Sequence, residues 1–171
     1  MADPASQDAA ASLQVVLEPG PFEPLARLAD WAAAAAPATA QFIGRVRSCN
    51  TGGEPLVALE LEHYPGMTES QLERLAAGAA ARHRVQAVLV HHRVGRVEPG
   101  EAIVLVAVAA DRRGPAQLCC QELLEALKHE APFWKKEVGA SGEGRWVEGN
   151  TPLREPAAPG TEKATQALRT G

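Results

Sequence analysis

Cysteine is scarce in this chain: Cys49, Cys119 and Cys120 are the only three in 171 residues. The count is odd and no CxxC spacing occurs, so neither a disulfide framework nor a zinc site is expected. Aromatic residues make up only 4%, which leaves the core to Leu, Val, Ile and Ala. No apolar run approaches the ~20 residues that span a bilayer. The N-terminal MADPASQDAA lacks the basic and apolar regions of a secretory signal. There is no excess of positive charge either. The net charge is −4 with both signs mixed along the chain, so no basic face for nucleic acid is expected. The HExxH, GxGxxG, P-loop and GxSxG motifs are all missing. What remains is a cytoplasmic globular protein with no membrane and no nucleic-acid partner.

Hydrophobic periodicity organises the chain. Residues 1–12 form a flexible lead-in, and a short strand covers Leu13 to Leu17. Leu25, Leu28, Ala29 and Ala32 mark a helix from Leu25 to Ala36, stopped by Pro37. Strands follow at Ala40 to Arg47 and Leu56 to Leu61, joined as a hairpin through Thr51-Gly52-Gly53-Glu54. Thr68, with Gln71 three residues on, has the pattern of a capping box for a helix to Arg84. Val85 to Val94 and Ala102 to Ala110 are rich in β-branched residues and suit strands inside a sheet. Pro115 to Glu130 is a second long helix, followed by short strands at Phe133 to Val138 and Arg145 to Glu148. Beyond Asn150 the composition shifts to Pro, Ala, Gly, Thr and Glu, and residues 150–171 are expected to be a flexible tail. The order β-α-β-β-α-β-β-α-β-β indicates an α+β domain over 13–149.

Basic residues cluster in three places. Arg45 and Arg47 lie two apart in a strand and should leave one face together, on the side of Ile43 and opposite Phe42, Gly44 and Val46. Paired guanidinium groups suit a phosphate or carboxylate, although a solvated hairpin edge has the same spacing. Asp111-Arg112-Arg113-Gly114 sits where a strand hands over to a helix, a place for anion binding or for Asp111 as N-cap. Lys128 and Lys135 flank the turn at Pro132, with Phe133 and Trp134 beside them. They can converge on one pocket, as charge stabilisers or as nucleophile and base, or serve only helix capping and surface packing. His91 and His92 are adjacent in a strand and face opposite ways, so they cannot share a metal. Cys119 and Cys120 diverge on a helix and suit burial.

Several longer motifs carry a resemblance. Leu61-Glu62-His63-Tyr64-Pro65-Gly66-Met67-Thr68-Glu69 and Ala131-Pro132-Phe133-Trp134-Lys135-Lys136-Glu137 resemble signature stretches of the molybdopterin synthase catalytic (large) subunit family. Gly44-Arg45-Val46-Arg47, His92-Arg93-Val94-Gly95, Pro99-Gly100-Glu101 and Gly144-Arg145-Trp146-Val147-Glu148 are similar to its remaining elements, in order, from about residue 13 to 148. The resemblance implies an α/β hammerhead-type fold with a small additional β subdomain, and a homodimer. Each large subunit would hold a small ubiquitin-like subunit, giving a heterotetramer. The small subunit's C-terminal Gly-Gly thiocarboxylate would deliver sulfur to cyclic pyranopterin monophosphate, producing the molybdopterin dithiolene. Neither a metal nor an organic cofactor is implied. The family's catalytic lysines fall on Lys128 and Lys135, with Lys128 expected in the covalent or proton-transfer role and Lys135 in charge stabilisation. Its substrate-binding positions fall on Arg45, Val46, Arg47, Asp111, Arg112, Lys136 and Glu137, with Asp111 standing where the family usually has His. The three basic clusters would then form one site, in part across the dimer. The alternative is a catalytically weakened paralogue that acts as a scaffold for the ubiquitin-like partner.

Overall fold

The computed structural model describes residues 10–31 and 36–147. Among the described residues eight strands and three helices follow one another: β1 (Ser12–Glu18), α1 (Pro24–Asp30), β2 (Ala38–Arg45), β3 (Leu56–His63), α2 (Met67–His83), β4 (Ala87–Arg93), β5 (Gly95–Val97), β6 (Ala102–Ala110), α3 (Arg113–His129), β7 (Phe133–Gly139) and β8 (Gly144–Trp146). The expected α+β class holds, and the strands divide into two four-stranded sheets. The first has the order β1-β4-β6-β2, with β1 parallel to β4 and the other pairs antiparallel. The second has the order β5-β3-β7-β8 and forms the additional β unit.

Strands β4 and β6 lie in the middle of the first sheet, covered on both faces. This explains the apolar runs Ala87 to Val90 and Ala102 to Ala110, because neither face there needs a polar side chain. Val88, Val90, Val104, Val106 and Val108 face α2 and α3, where Leu72, Leu75, Ala76, Leu123 and Leu127 complete the main core. Leu89, Leu105, Ala107 and Ala109 face the other way, toward Trp31, Phe22 and Leu28 around α1. His91 and His92 follow this alternation, as expected. His91 stacks on Phe22 with ring centroids 4.2 Å apart, and His92 stacks on Phe133 at 4.2 Å on the opposite face. Cys119 and Cys120 are both buried in the main core.

Four local expectations need correction. The hairpin between β2 and β3 does not form, because the two strands belong to different sheets. The intervening loop closes on itself in a short antiparallel turn, through the Cys49–Pro55 bridge, the Leu56 N–H donated to the Ser48 carbonyl and the Asn50 N–H donated to the Glu54 carbonyl. Arg45 is instead placed opposite Ala102 on β6, a partner distant in sequence. The first helix ends at Asp30 with Trp31 as its C-cap, short of Ala36; residues 32–35 lie outside the described set. Gly66, not Thr68, caps α2. Its φ of +82° suits glycine, and its N–H donates to the Glu69 carboxylate at 2.6 Å. Thr68 sits inside the helix, where its hydroxyl accepts from the Tyr64 N–H. Finally, the loop expected at Gly95 to Gly100 contains β5, which pairs with β3. The lead-in, apart from its last residues, and the tail at 150–171 lie outside the described residues.

Candidate active site

Where the C-terminal end of α3 meets the start of β7, the two sheets leave a cavity of about 580 Å³. Its walls are largely apolar: Phe42, Ile103, Leu124, Leu127, Phe133 and Trp146 among them. Into this surface four cations converge, Arg45 and Arg47 from the end of β2 and Lys128 and Lys135 from either side of the Pro132 turn. Two of the three basic clusters therefore meet in one place. They are far apart in sequence, and the meeting depends on β2 lying beside β6, which runs directly into α3.

The arginines reach the cavity in a way that simple alternation does not anticipate. The β2–β6 register slips between Gly44 and Arg45, and a bulge breaks the two-residue alternation of a strand. Phe42 and Gly44 consequently line the same cavity as Arg45 and Arg47 instead of the opposite face. Val46 turns into a small core with Leu61 and Val97. Its backbone is tied to the 98–101 turn: its N–H donates to the Glu101 carbonyl and its carbonyl accepts from Gly100. Arg45 is held by the same turn, donating from Nη1 to the Gly100 carbonyl at 3.0 Å.

The lysines differ in environment. Lys128, in the last turn of α3, lies 3.8 Å from the Glu125 carboxylate. Lys135 is half-buried in β7, and burial together with the charge of Lys128 pushes its pKa below the ordinary lysine value. Burial disfavours the ammonium form because the cavity wall solvates charge less well than water. His92 also borders the cavity. Burial holds its imidazole neutral, with the pKa lowered to about 4. A ring nitrogen 2.7 Å from a carbonyl must be the donor, so Nδ1–H is committed to the Arg93 carbonyl. The sequence offered His92 as one of two diverging histidines and as the start of the stretch His92-Arg93-Val94-Gly95, not as a residue of this cavity. Its place beside the lysines follows from its ring stacking on Phe133 at the start of β7.

The remaining predicted positions do not line this cavity. Asp111 and Arg112 are exposed, with side chains 77% and 85% accessible, and face each other at 4.0 Å. Arg112 is the N-cap residue of α3 and no side chain caps that end, so Asp111 is not a cap. Lys136 alternates to the other side of β7 from Lys135, where it pairs with Glu60 at 3.4 Å and lies over the Trp146 ring. Glu137 sits opposite Leu59 in the β3–β7 ladder. Trp134, at the cavity mouth, meets Tyr64 edge-on at 5.0 Å. Among the described residues no group of His, Cys, Asp and Glu is arranged to hold a metal ion, and no helix is long and apolar enough to cross a membrane.

The chain is similar to known proteins in sequence and in fold. The family model described as MoaE protein matches residues 17–130. A molybdopterin synthase catalytic subunit from Ralstonia nicotianae is 50% identical over 65% of this chain, a match that spans 62% of the relative's own length. Another from Caulobacter vibrioides is 44% identical over 78% of this chain and 88% of the relative. Among solved structures, the molybdopterin biosynthesis MoaE protein from Burkholderia ambifaria superposes with a TM-score of 0.64 at 42% identity, over 80% of this chain and 88% of that one. The chain belongs to the MoaE protein family, to which molybdopterin synthase catalytic subunits belong.

Proposed function

We propose that the four-cation cavity is the sulfur-transfer centre of a molybdopterin synthase catalytic subunit working in the cytoplasm. Sulfur arrives as a thiocarboxylate on the Gly-Gly tail of a small ubiquitin-like subunit and passes to cyclic pyranopterin monophosphate. The observation that carries this reading is the convergence of Arg45, Arg47, Lys128 and Lys135 on one concave, otherwise apolar wall. Both reactants are anions, a cyclic phosphate and a thiocarboxylate. Fixed cations in a site of low polarity stabilise such charge far better than water-exposed ones. Arg45, held against the Gly100 carbonyl, and Arg47 suit the phosphate, since guanidinium groups present several donors in a fixed plane.

Each transfer bonds sulfur to a pterin carbon and leaves the tail as a carboxylate. It therefore needs a positive group near the acyl oxygen and a base for the water that releases the acyl carbon. The lowered pKa of Lys135 favours that residue as the base or nucleophile, with Lys128 as the stabilising cation. This reverses the division of labour first expected. A neutral amine is the reactive form, and burial beside another cation increases its share. Lys136 and Glu137 act from outside the cavity, through the β7 ladder. Asp111 and Arg112 join the site from a second copy of the chain in the homodimer.

Single-turnover conversion of cyclic pyranopterin monophosphate by the chain and its thiocarboxylated small subunit tests this reading. Product is expected, and Lys128→Ala should abolish it while the subunits still associate. A stable complex that makes no product would instead support a scaffold.

A further inference from the structure

His92 has no role in the chemistry above, yet it is built into the cavity with unusual care. Its ring is nearly parallel to that of Phe133, 12° between planes and 4.2 Å between centroids. Phe133 opens β7, and Lys135 lies two residues further along the same side of that strand. Both line the cavity. The backbone at this end of β7 is fixed by the ladder with β3, which sets Phe133 opposite His63 and Lys135 opposite Leu61, by the Phe133 N–H donated to the Ala131 carbonyl and by the Val147 N–H donated to the Lys135 carbonyl. None of these backbone bonds fixes the tilt of the Phe133 side chain, against which the His92 ring lies.

The choice of histidine has a physical reason. The β4–β6 ladder ends at the His92–Val104 pair, so the Arg93 carbonyl lies beyond it and His92 supplies a donor at 2.7 Å. That bond fixes the ring's rotation and its tautomer together. The ring is only 7% exposed and borders the same cavity as Arg45, Arg47, Lys128 and Lys135, where a neutral group adds no further repulsion.

We infer that His92 is a positioning residue for sulfur transfer: its imidazole, locked to the Arg93 carbonyl and lying flat on Phe133, holds the start of β7 so that Lys135 stays in the cavity wall beside Lys128. The inference rests on the cavity being the sulfur-transfer centre only for its effect on turnover. Its effect on Lys135 is independent of that reading.

The test follows both. Lys135 is titrated in the full chain by the pH dependence of its acylation with a small amine-reactive ester, read by peptide mass spectrometry. Single-turnover rates are measured with the thiocarboxylated small subunit. His92→Ala should shift Lys135 labelling to the more alkaline profile of an ordinary lysine. It should also slow turnover by about 100-fold, the scale expected when a reacting group is displaced by ~1 Å. His92→Phe, which keeps a flat ring, should recover most of both effects. His92→Asn, which keeps a donor for the Arg93 carbonyl without the ring, should not. A folded His92→Ala with wild-type labelling and rate overturns the inference. If His92→Ala does not fold, rescue by Asn and not by Phe overturns it. Wild-type protein that makes no product, with Lys135 labelling responding as described, would refute the sulfur-transfer reading and leave the coupling of His92 to Lys135 standing.

Discussion

Acid should destabilise this protein through His92, by an amount the structure allows to be worked out. The imidazole titrates near its ordinary value of 6.5 in the unfolded chain and at about 4 when folded. Between those values the unfolded state binds more protons than the folded state. Stability therefore falls as pH falls through this window, and the loss is complete below about pH 4. Linkage over that interval gives about 2 kcal/mol lost between pH 7 and pH 5, and about 3 kcal/mol by the acid end. With a urea dependence of about 1.5 kcal/mol per molar for a domain of this size, the midpoint should drop by roughly 1 M between pH 7 and pH 5. Glu54 and Glu122, whose carboxyl pKa values are lowered by hydrogen bonds to their partners, also lose native-state interactions on protonation at the acid end. The comparison is therefore made with His92→Phe, which removes only this titration. Any constant packing cost of the larger ring cancels, and the gap between the two midpoints should change by about 1 M across the range. A gap that stays constant from pH 7 to pH 5 would show that the buried imidazole is protonated without penalty, and the electrostatic reasoning would fail.

Leu123→Ala should cost about 3 kcal/mol in urea unfolding, because Leu123 is fully buried between α3 and the first sheet; a loss under 1 kcal/mol would mean that the site collapses freely. At pH 8 a thiol reagent should modify Cys49 in the native protein and leave Cys119 and Cys120 untouched. Only Cys49 is exposed, and burial raises the other two thiols to about 11; all three should react after denaturation. Arg82→Ala should lower stability by less than about 1 kcal/mol, since its ion pair with Glu122 is largely exposed.

How far the sequence reached can be judged residue by residue. The two long helices and the strands β4 and β6 were legible because each carries a long periodic or β-branched signal that local sequence alone can supply. The chemistry-bearing residues were legible as types. Arg45, Arg47, Lys128 and Lys135 stood out as clustered cations, and the longer motifs around them pointed to the family.

Which of those cations share a site was decided by the tertiary structure. The loop after β2 looks like a hairpin turn, but β2 pairs with β6 and β3 with β7, and partner choice in a sheet depends on contacts distant in sequence. The bulge beside Arg45 depends on β6 as well as on β2, so the alternation of one strand could not reveal that Phe42 and Arg45 border the same cavity. Arg112 kept its charge in the sequence but stands outside the cavity in the fold, and Lys136 turns away from the lysine before it. His92 acquires its meaning only from Phe133 packing flat upon it. Residue type and local periodicity are properties of the chain; proximity, burial and the resulting shift of a proton equilibrium arise only when separated segments pack together.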